Sequence, residues 1–481
     1  MLIINKNMKK IFLSLILLTT SLFVFYLFFL KTDSLINTER TYYPEGLSNV
    51  SYNASANGAI EYRNMLYKDA ITGEIDYTKL ASAKTQVKQM MLAKSTSLSF
   101  VEEGPDNVGG RTRGIAIHPD DDDIMFAGSV TGGLFVTYNK GSSWSRVQEF
   151  DDAMLNSASG TGSLGISSIA ITSDGVLYVA TGGSQFEGTL AYEGSGTLTG
   201  DGVWYSMSTS NFNFQQVLGT DNKDILKIVD DPSKGNTVFF VGVSIGLKKS
   251  ENYQTAQTVS GISANATIGD VKISKDGQLM VLGVGQGGMR TWISHDGGAN
   301  WTDLHSSGDL QGFGTTRVEY SISDLTNTNG DYTIYAVFTG SNGKLSGVYR
   351  SVDSGNSWCQ VGPQSTTNFA PLSTSLSNQG NYNLVILSSP DGEFCTLGGI
   401  DLWEWHHTPN SPDCDNGQWY VVSSWSAPPS VPIYIHADNH RLVYNSLYQL
   451  VVGNDGGVQM RTGAFGSPLN KGYNVTQFYS M

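Results

Sequence analysis

The chain has 481 residues, of which 55 are glycine, 11% are aromatic and only 15% are charged. That balance suits many short strands joined by tight turns and excludes a helical bundle or a disordered chain. The formal net charge of −14 excludes a nucleic-acid-binding surface, which needs clustered Lys and Arg, and fits solubility outside the cell.

At the start, Lys6, Lys9 and Lys10 precede an uncharged apolar run from Ile11 to Leu30, and Lys31 follows. A helix of that length spans ~30 Å, the hydrocarbon thickness of a bilayer. The small residues Thr19, Thr20 and Ser21 sit in the middle of the run rather than at its exit, which favours a signal-anchor over a cleaved signal peptide and leaves both open. Either way, the basic residues hold the short N-terminus inside and the remainder is exported, with a membrane partner through residues 11–30. Residues 31–56 are polar and aperiodic and read as a tether. Residues 57–94 carry helix-like spacing around Thr72-Gly73 and predict two short helices.

From about residue 95 the apolar period becomes two. The first unit contains Gly114-Ile-Ala-Ile, Ile124-Met-Phe-Ala and Leu134-Phe-Val. Six further units follow: the second and third contain Ile169 and Ile225, the fourth and fifth end in phrases closed by Trp301 and Trp358, the sixth runs from Asn383, and the seventh begins at Leu442 and reaches Tyr479. Three units carry one phrase at the same place: Thr137-Tyr-Asn139-Lys-Gly141-Ser-Ser-Trp144, Ser294-His-Asp296-Gly-Gly298-Ala-Asn-Trp301 and Ser351-Val-Asp353-Ser-Gly355-Asn-Ser-Trp358. The Asn or Asp oxygen can accept bonds from backbone N–H groups ahead of it, the Gly supplies a positive φ, and the Trp folds back as an apolar anchor. Repetition of one module predicts an all-β propeller of about seven four-stranded blades over residues 95–481. Leu98-Ser-Phe-Val101 is the expected closing strand, and the abrupt end leaves open an incomplete last blade or a longer parent chain.

This phrase resembles the Asp-box (BNR) hairpin of sialidases, xyloglucan hydrolases and sortilin-type domains. In those families it is a structural turn away from the active site, so Asn139, Trp144, Asp296, Trp301, Asp353 and Trp358 are expected to be structural. Gly109-Gly-Arg111-Thr-Arg113, His436-Ala-Asp438-Asn-His440 and Gly453-Asn-Asp455-Gly-Gly457 extend the resemblance to sortilin-like propeller proteins exported by Bacteroidetes-type bacteria. Most of that group have no assigned activity. The resemblance therefore implies fold and location more than function.

Candidate chemistry is sparse. His436, Asp438 and His440 are metal-ligand types on one face of a straight strand, but its rise puts the histidines ~13 Å apart, too far for one zinc. Arg111 and Arg113 hold the equivalent place in the first unit, so ring closure would bring them near Asp438 and Asp455 as an ion-pair latch or a seat for an anionic ligand. Trp403, Trp405, Trp419 and Trp425 are expected in the packing between blades, with stacking platforms for sugars as the alternative. Where xyloglucan hydrolases place a base Asp, this chain has Ser129-Val-Thr-Gly-Gly133, and no sialidase arginine triad is evident. The reading is a binding module for a protein, peptide or glycan, without a cofactor or a metal. A glycoside hydrolase using Asp438 and Asp455 is the alternative. Cys359, Cys395 and Cys414 lack metal-site spacing and allow one disulfide, with Cys395–Cys414 a candidate pairing, or three free thiols.

Overall fold

The period-two alternation resolves into seven four-stranded antiparallel sheets in the computed structural model. It describes residues 108–475 except 158–163, 183–199, 286–287, 308–309, 311–314, 341–342, 363–368, 374–377 and 464, plus scattered positions between 68 and 90. The chain divides into residues 1–53 and 54–481. The apolar run 11–30 and the tether 31–56 lie outside the described residues, as does most of the helical extension 57–94.

Each blade is contiguous in the chain: residues 112–146, 166–216, 225–258, 268–303, 315–362, 385–421 and 439–468 form blades 1 to 7. Within each, strands pair in chain order, from an innermost first strand to an outermost fourth. The first strands are Thr112–His118, Ile166–Ile171, Ile225–Asp230, Ile268–Ile273, Thr315–Thr326, Val385–Ser388 and Asn439–Tyr444. Each touches the first strand of the next blade, and the seventh touches the first, so the ring is closed and lines a central channel. The second strands Leu177–Thr181 and Thr237–Gly242 are buried along their whole length because both faces meet other blades. Apolar clusters fill the gaps between blades. Phe126 and Leu134 meet Ile169 and Val179 between blades 1 and 2, where the helix Gln148–Leu155 adds Phe150 and Met154. Each such side chain contributes about 1.5–3 kcal/mol of burial.

All three repeated phrases turn the third strand into the fourth, in blades 1, 4 and 5. In blade 5, Ser351 Oγ donates to Asp353 Oδ1 (2.8 Å) and accepts from Gly355 N (2.8 Å). Asp353 Oδ1 then accepts from Ser357 N (2.8 Å). Blade 4 repeats this through Ser294, Asp296, Gly298 and Asn300, and blade 1 through Thr137, Asn139, Gly141 and Ser143. Gly141, Gly298 and Gly355 have φ of 79°, 89° and 91°, where a side chain is strained. Trp301 and Trp358 each donate their indole N–H to the phrase's own glycine carbonyl, at 3.0 and 3.1 Å. Trp144 donates instead to Leu469 O, 2.6 Å away.

That exception marks the seam. Residues 469–475 run from blade 7 onto blade 1: Trp144 N bonds Lys471 O (2.9 Å), Val475 N bonds Gly109 O (3.0 Å), and Gly109 N bonds Gly456 O (2.7 Å). Tyr473 is fully buried against Phe135 and Trp144, its hydroxyl 2.9 Å from Thr112 Oγ1. On the face that carries the repeated hairpin, Asp122 accepts bonds from the N and Oγ of Ser446. The seventh sheet has four strands, all drawn from residues 439–468. A closing strand at 98–101 is not needed to fill it, and those residues lie outside the described ones.

The disulfide expectation is corrected. Cys359 pairs with Cys414, linking the outermost strand of blade 5 to a loop of blade 6, and Cys395 is free. Cys395 points into the core beside Tyr335, Leu397 and Trp405, whereas Cys414 lies in a loop at the outer edge. Trp405 and Trp419 are buried and Trp403 partly so, as expected of interblade packing, but Trp425 is 50% exposed.

Two outcomes follow. Gly355→Ala places a Cβ 2.3 Å from Ile293 Cδ1 at a left-handed backbone, and should lower the unfolding free energy by roughly 1–3 kcal/mol. Asp353→Ala should cost less, about 0.5–1.5 kcal/mol. Urea unfolding of both variants measures the order. Alkylation without reductant should label one thiol, Cys395, and only in denaturant. Cys414→Ser should destabilise by about 2–4 kcal/mol.

Candidate binding site at the channel mouth

First and third strands of a blade run in the same direction. The starts of the first strands therefore share a face with the second-to-third turns, and the repeated hairpins occupy the opposite face. In blades 1, 2, 3, 4, 5 and 7 the first strand opens with a β-bulge at one register position. Bulges re-aim side chains, commonly beside functional sites. The bulged residues of blades 1 and 7 are Arg113 and His440, neighbours across the seam.

Around them the seam builds a polar cluster. His440 Nε2 lies 2.7 Å from Asp455 Oδ1. Asp455, in the second-to-third turn of blade 7, accepts a 2.5 Å bond at Oδ2 from the Tyr382 hydroxyl. Arg111 Nη1 donates to that same hydroxyl at 3.1 Å, with its guanidinium 5.4 Å from the ring centroid. Asp438 Oδ1 accepts from Asn383 Nδ2 at 2.6 Å.

Burial and charge set the protonation states. Burial pulls the His440 imidazole down to about 4, against the pull of Asp455 and helped by Arg113 and Arg111. His440 is therefore neutral at pH 7, and its Nε2–H donates to Asp455. Its Nδ1 is buried with no hydrogen-bond partner among the described residues. Burial raises Asp455, but bonds from His440 and the charge of Arg111 outweigh it and hold the carboxyl below its ordinary value. Burial and the neighbouring Asp455 push Asp438 up to about 7, despite the bond from Asn383. One carboxylate is thus ionised while its neighbour sits near half-protonation, an arrangement that suits acid–base chemistry or a mixed donor–acceptor seat for a ligand.

Arg111, Arg113, Asp438, His440 and Asp455 thus come together. His436 packs beside Gly456, next to Asp455, but its hydrogen bonds go elsewhere: its Nδ1 lies 3.0 Å from Ala437 O, and its backbone N bonds Gln459. The expectation of one straight strand carrying His436, Asp438 and His440 fails because Asp438 has φ of 66° and the strand begins at Asn439. Among the described residues no group of three His, Cys, Asp or Glu is placed to hold a metal.

Tyr382 and Asn383 escaped sequence reading, although Asn381-Tyr382-Asn383 precedes the first strand of blade 6 just as Arg111 precedes that of blade 1. So did a charged network deeper in the channel. Lys227 bonds Glu319 (2.9 Å), Arg317 bonds Glu319 (3.0 Å), and Lys272 bonds Asp270. Arg317 also donates to the carbonyls of Asn381, Tyr382 and Leu384, which fixes the segment bearing Tyr382. The available signal was a charged residue interrupting an apolar strand, as in Ile225-Leu-Lys227-Ile or Arg317-Val-Glu319-Tyr.

The geometry is that of a seven-bladed β-propeller, and comparison with solved structures agrees at the level of fold. The GH74 xyloglucanase of Xanthomonas campestris matches at 14% identity and a TM-score of 0.50, over 76% of this chain and 55% of that one. An ancestral GH74 enzyme matches at 16% identity and a TM-score of 0.54, over 76% and 46%. YCF48 of Cyanidioschyzon merolae gives 13% identity and a TM-score of 0.44, over 73% and 94%. The chain thus spans about half the length of the two GH74 enzymes. No family model and no curated protein matches the sequence.

Because the folded pKa of Asp438 lies above the unfolded value of about 3.9, its contribution is fully present below pH 4 and is lost as pH rises through about 7. Asp438→Asn should therefore gain melting temperature relative to the parent as pH goes from about 5 to about 8. Paired thermal melts across that window measure it, and a constant offset would contradict the assignment.

Proposed function

We propose that this chain is an exported, membrane-tethered Asp-box propeller that binds a protein, peptide or glycan at the channel mouth between blades 6, 7 and 1. The observation carrying the reading is the partly exposed Asp438 and Asp455 pair, held on the face opposite the repeated hairpins by Asn383, His440, Tyr382 and Arg111. Asp455 is already engaged by two donors, which favours recognition over turnover. Export and tethering rest on the basic residues before the apolar run 11–30. The Asp-box assignment rests on the matched hydrogen bonds of the three hairpins.

A glycoside hydrolase is the second reading. It is favoured by the split between Asp438 and Asp455, one a candidate proton donor and the other ionised, and by the likeness in fold to GH74 enzymes.

Screening the full chain against glycan arrays and peptide libraries should find a ligand whose retention falls at least about tenfold in Asp438→Asn, while Asp296→Ala retains it. Equal retention by Asp438→Asn would remove the mouth as the site. Release of reducing ends from xyloglucan oligosaccharides, abolished by the same substitution, would replace binding with hydrolysis. The chain should also stay with membranes through a carbonate wash.

A further inference from the structure

On the surface of this acidic chain, lysines are held by carboxylates: Lys140, Lys234, Lys249 and Lys275 each meet one at 2.9–3.7 Å. Lys223 and Lys248 differ. Among the described residues neither meets a carboxylate: Lys248 Nζ donates to Thr258 Oγ1 (2.6 Å), and Lys223 Nζ bonds none of them. Both line one open cavity of about 140 Å³ at the top of the gap between blades 2 and 3.

Three segments of the mouth face build this cavity. The loop from the last strand of blade 2 to the first strand of blade 3 supplies Gly219 and Lys223. The second-to-third turn of blade 3 supplies Ser244, with Lys248 just beyond it on the third strand, Leu247–Glu251. The loop into blade 4 supplies Ala264 and Asn265. The apolar residues beneath them, Ile225, Phe240 and Ile245, are buried in the core between blades 2 and 3. What the cavity presents is therefore polar.

That polar surface is rich in donors, and no carboxylate is among the described residues lining it. Ala266 N donates to Ser263 O at 3.0 Å and closes a turn whose two central N–H groups, on Ala264 and Asn265, bond no described residue. Nor do Gly219 N and the side chains of Ser244 and Asn265. Ser244 keeps a left-handed backbone, with φ of 54°, a cost that a side-chain-bearing residue carries most often at functional turns. An ammonium binds an oxyanion as a point charge, and N–H groups at turns add fixed positive poles.

We propose that this cavity binds a tetrahedral oxyanion, a sulfate or phosphate group, either free or carried as an ester on a larger ligand. Lys223 and Lys248 supply the charge from two different segments, and Ser244, Asn265 and the loop N–H groups supply further donors. A carboxylate, with two oxygens in one plane, would satisfy fewer of these donors. The site shares a face with Asp438 and Asp455 but lies in a different interblade gap and is independent of them.

Isothermal titration of the full chain with inorganic phosphate and sulfate, beside acetate at the same ionic strength, tests this. Both oxyanions should bind at millimolar concentration or below, and acetate at least about tenfold more weakly. Lys223→Gln and Lys248→Gln should each weaken the oxyanions at least about tenfold. Lys249→Gln should not, because Lys249 points to the other face of the same strand and is paired with Glu251. Asp438→Asn should also leave binding unchanged. Glucose 6-phosphate and glucose 6-sulfate, beside glucose, separate the two sources: binding of the esters marks a conjugated ligand, and binding of the free ions alone marks an inorganic one. Absence of oxyanion binding at millimolar concentration, equal affinity for acetate, undiminished binding by Lys223→Gln, or an equal loss in Lys249→Gln would overturn the proposal. Should Lys248→Gln lose stability, the exposed Lys223 still decides it.

Discussion

Ring closure is the constraint on which everything else depends. A propeller of seven separate sheets has to bring its first and last blades together, and among the described residues no strand is exchanged to do so. The join consists of a short run of backbone, residues 469–475, lying across blade 1, with Tyr473 and Trp144 as its apolar anchors and Asp122–Ser446 on the hairpin face. The polar cluster at the mouth belongs to the same join. Arg111 and Arg113 come from blade 1, His440 and Asp455 from blade 7, and Tyr382 from blade 6. In an open ring Arg111 and Arg113 would not reach the groups of blades 6 and 7, so the completed cluster depends on the closure of the fold.

Burial dictates how that construction is charged. A neutral His440 can donate to Asp455 without adding a third positive charge beside Arg111 and Arg113. Tyr382 gives Arg111 and Asp455 a shared neutral partner. Deeper in the channel the same economy appears in blades 3, 4 and 5, where Lys227, Arg317 and Lys272 are matched against Glu319 and Asp270. Such pairs are weak evidence of stability in themselves, but an unmatched member would be costly.

The fold was legible because blade periodicity is local. Alternating strands, turn glycines and a phrase used three times all announce themselves within about ten residues, and seven units could be read in order. The site was legible only in part. Arg111, Arg113, Asp438, His440 and Asp455 stand next to turn signals and could be placed by analogy between units. Tyr382 could not, because its role comes from Arg317 holding the backbone of the neighbouring blade. His436 lies outside the strand that the sequence suggested, because a single left-handed residue, Asp438, precedes its start at Asn439. The Cys359–Cys414 pairing spans two blades, a relation that no local pattern encodes.

Because every sheet is made from one uninterrupted stretch of chain, the order of the blades around the ring is independent of where the polypeptide is cut. Gly109 and Val475 are already hydrogen-bonded neighbours, 3.0 Å apart from N to O. A peptide linker there, with new ends opened at an exposed interblade loop, would yield a circular permutant retaining all seven sheets. The present seam would then be covalent, and the closing contact would move to another pair of blades. The architecture is cyclic in space, and which blade comes first along the chain is one of several equivalent choices.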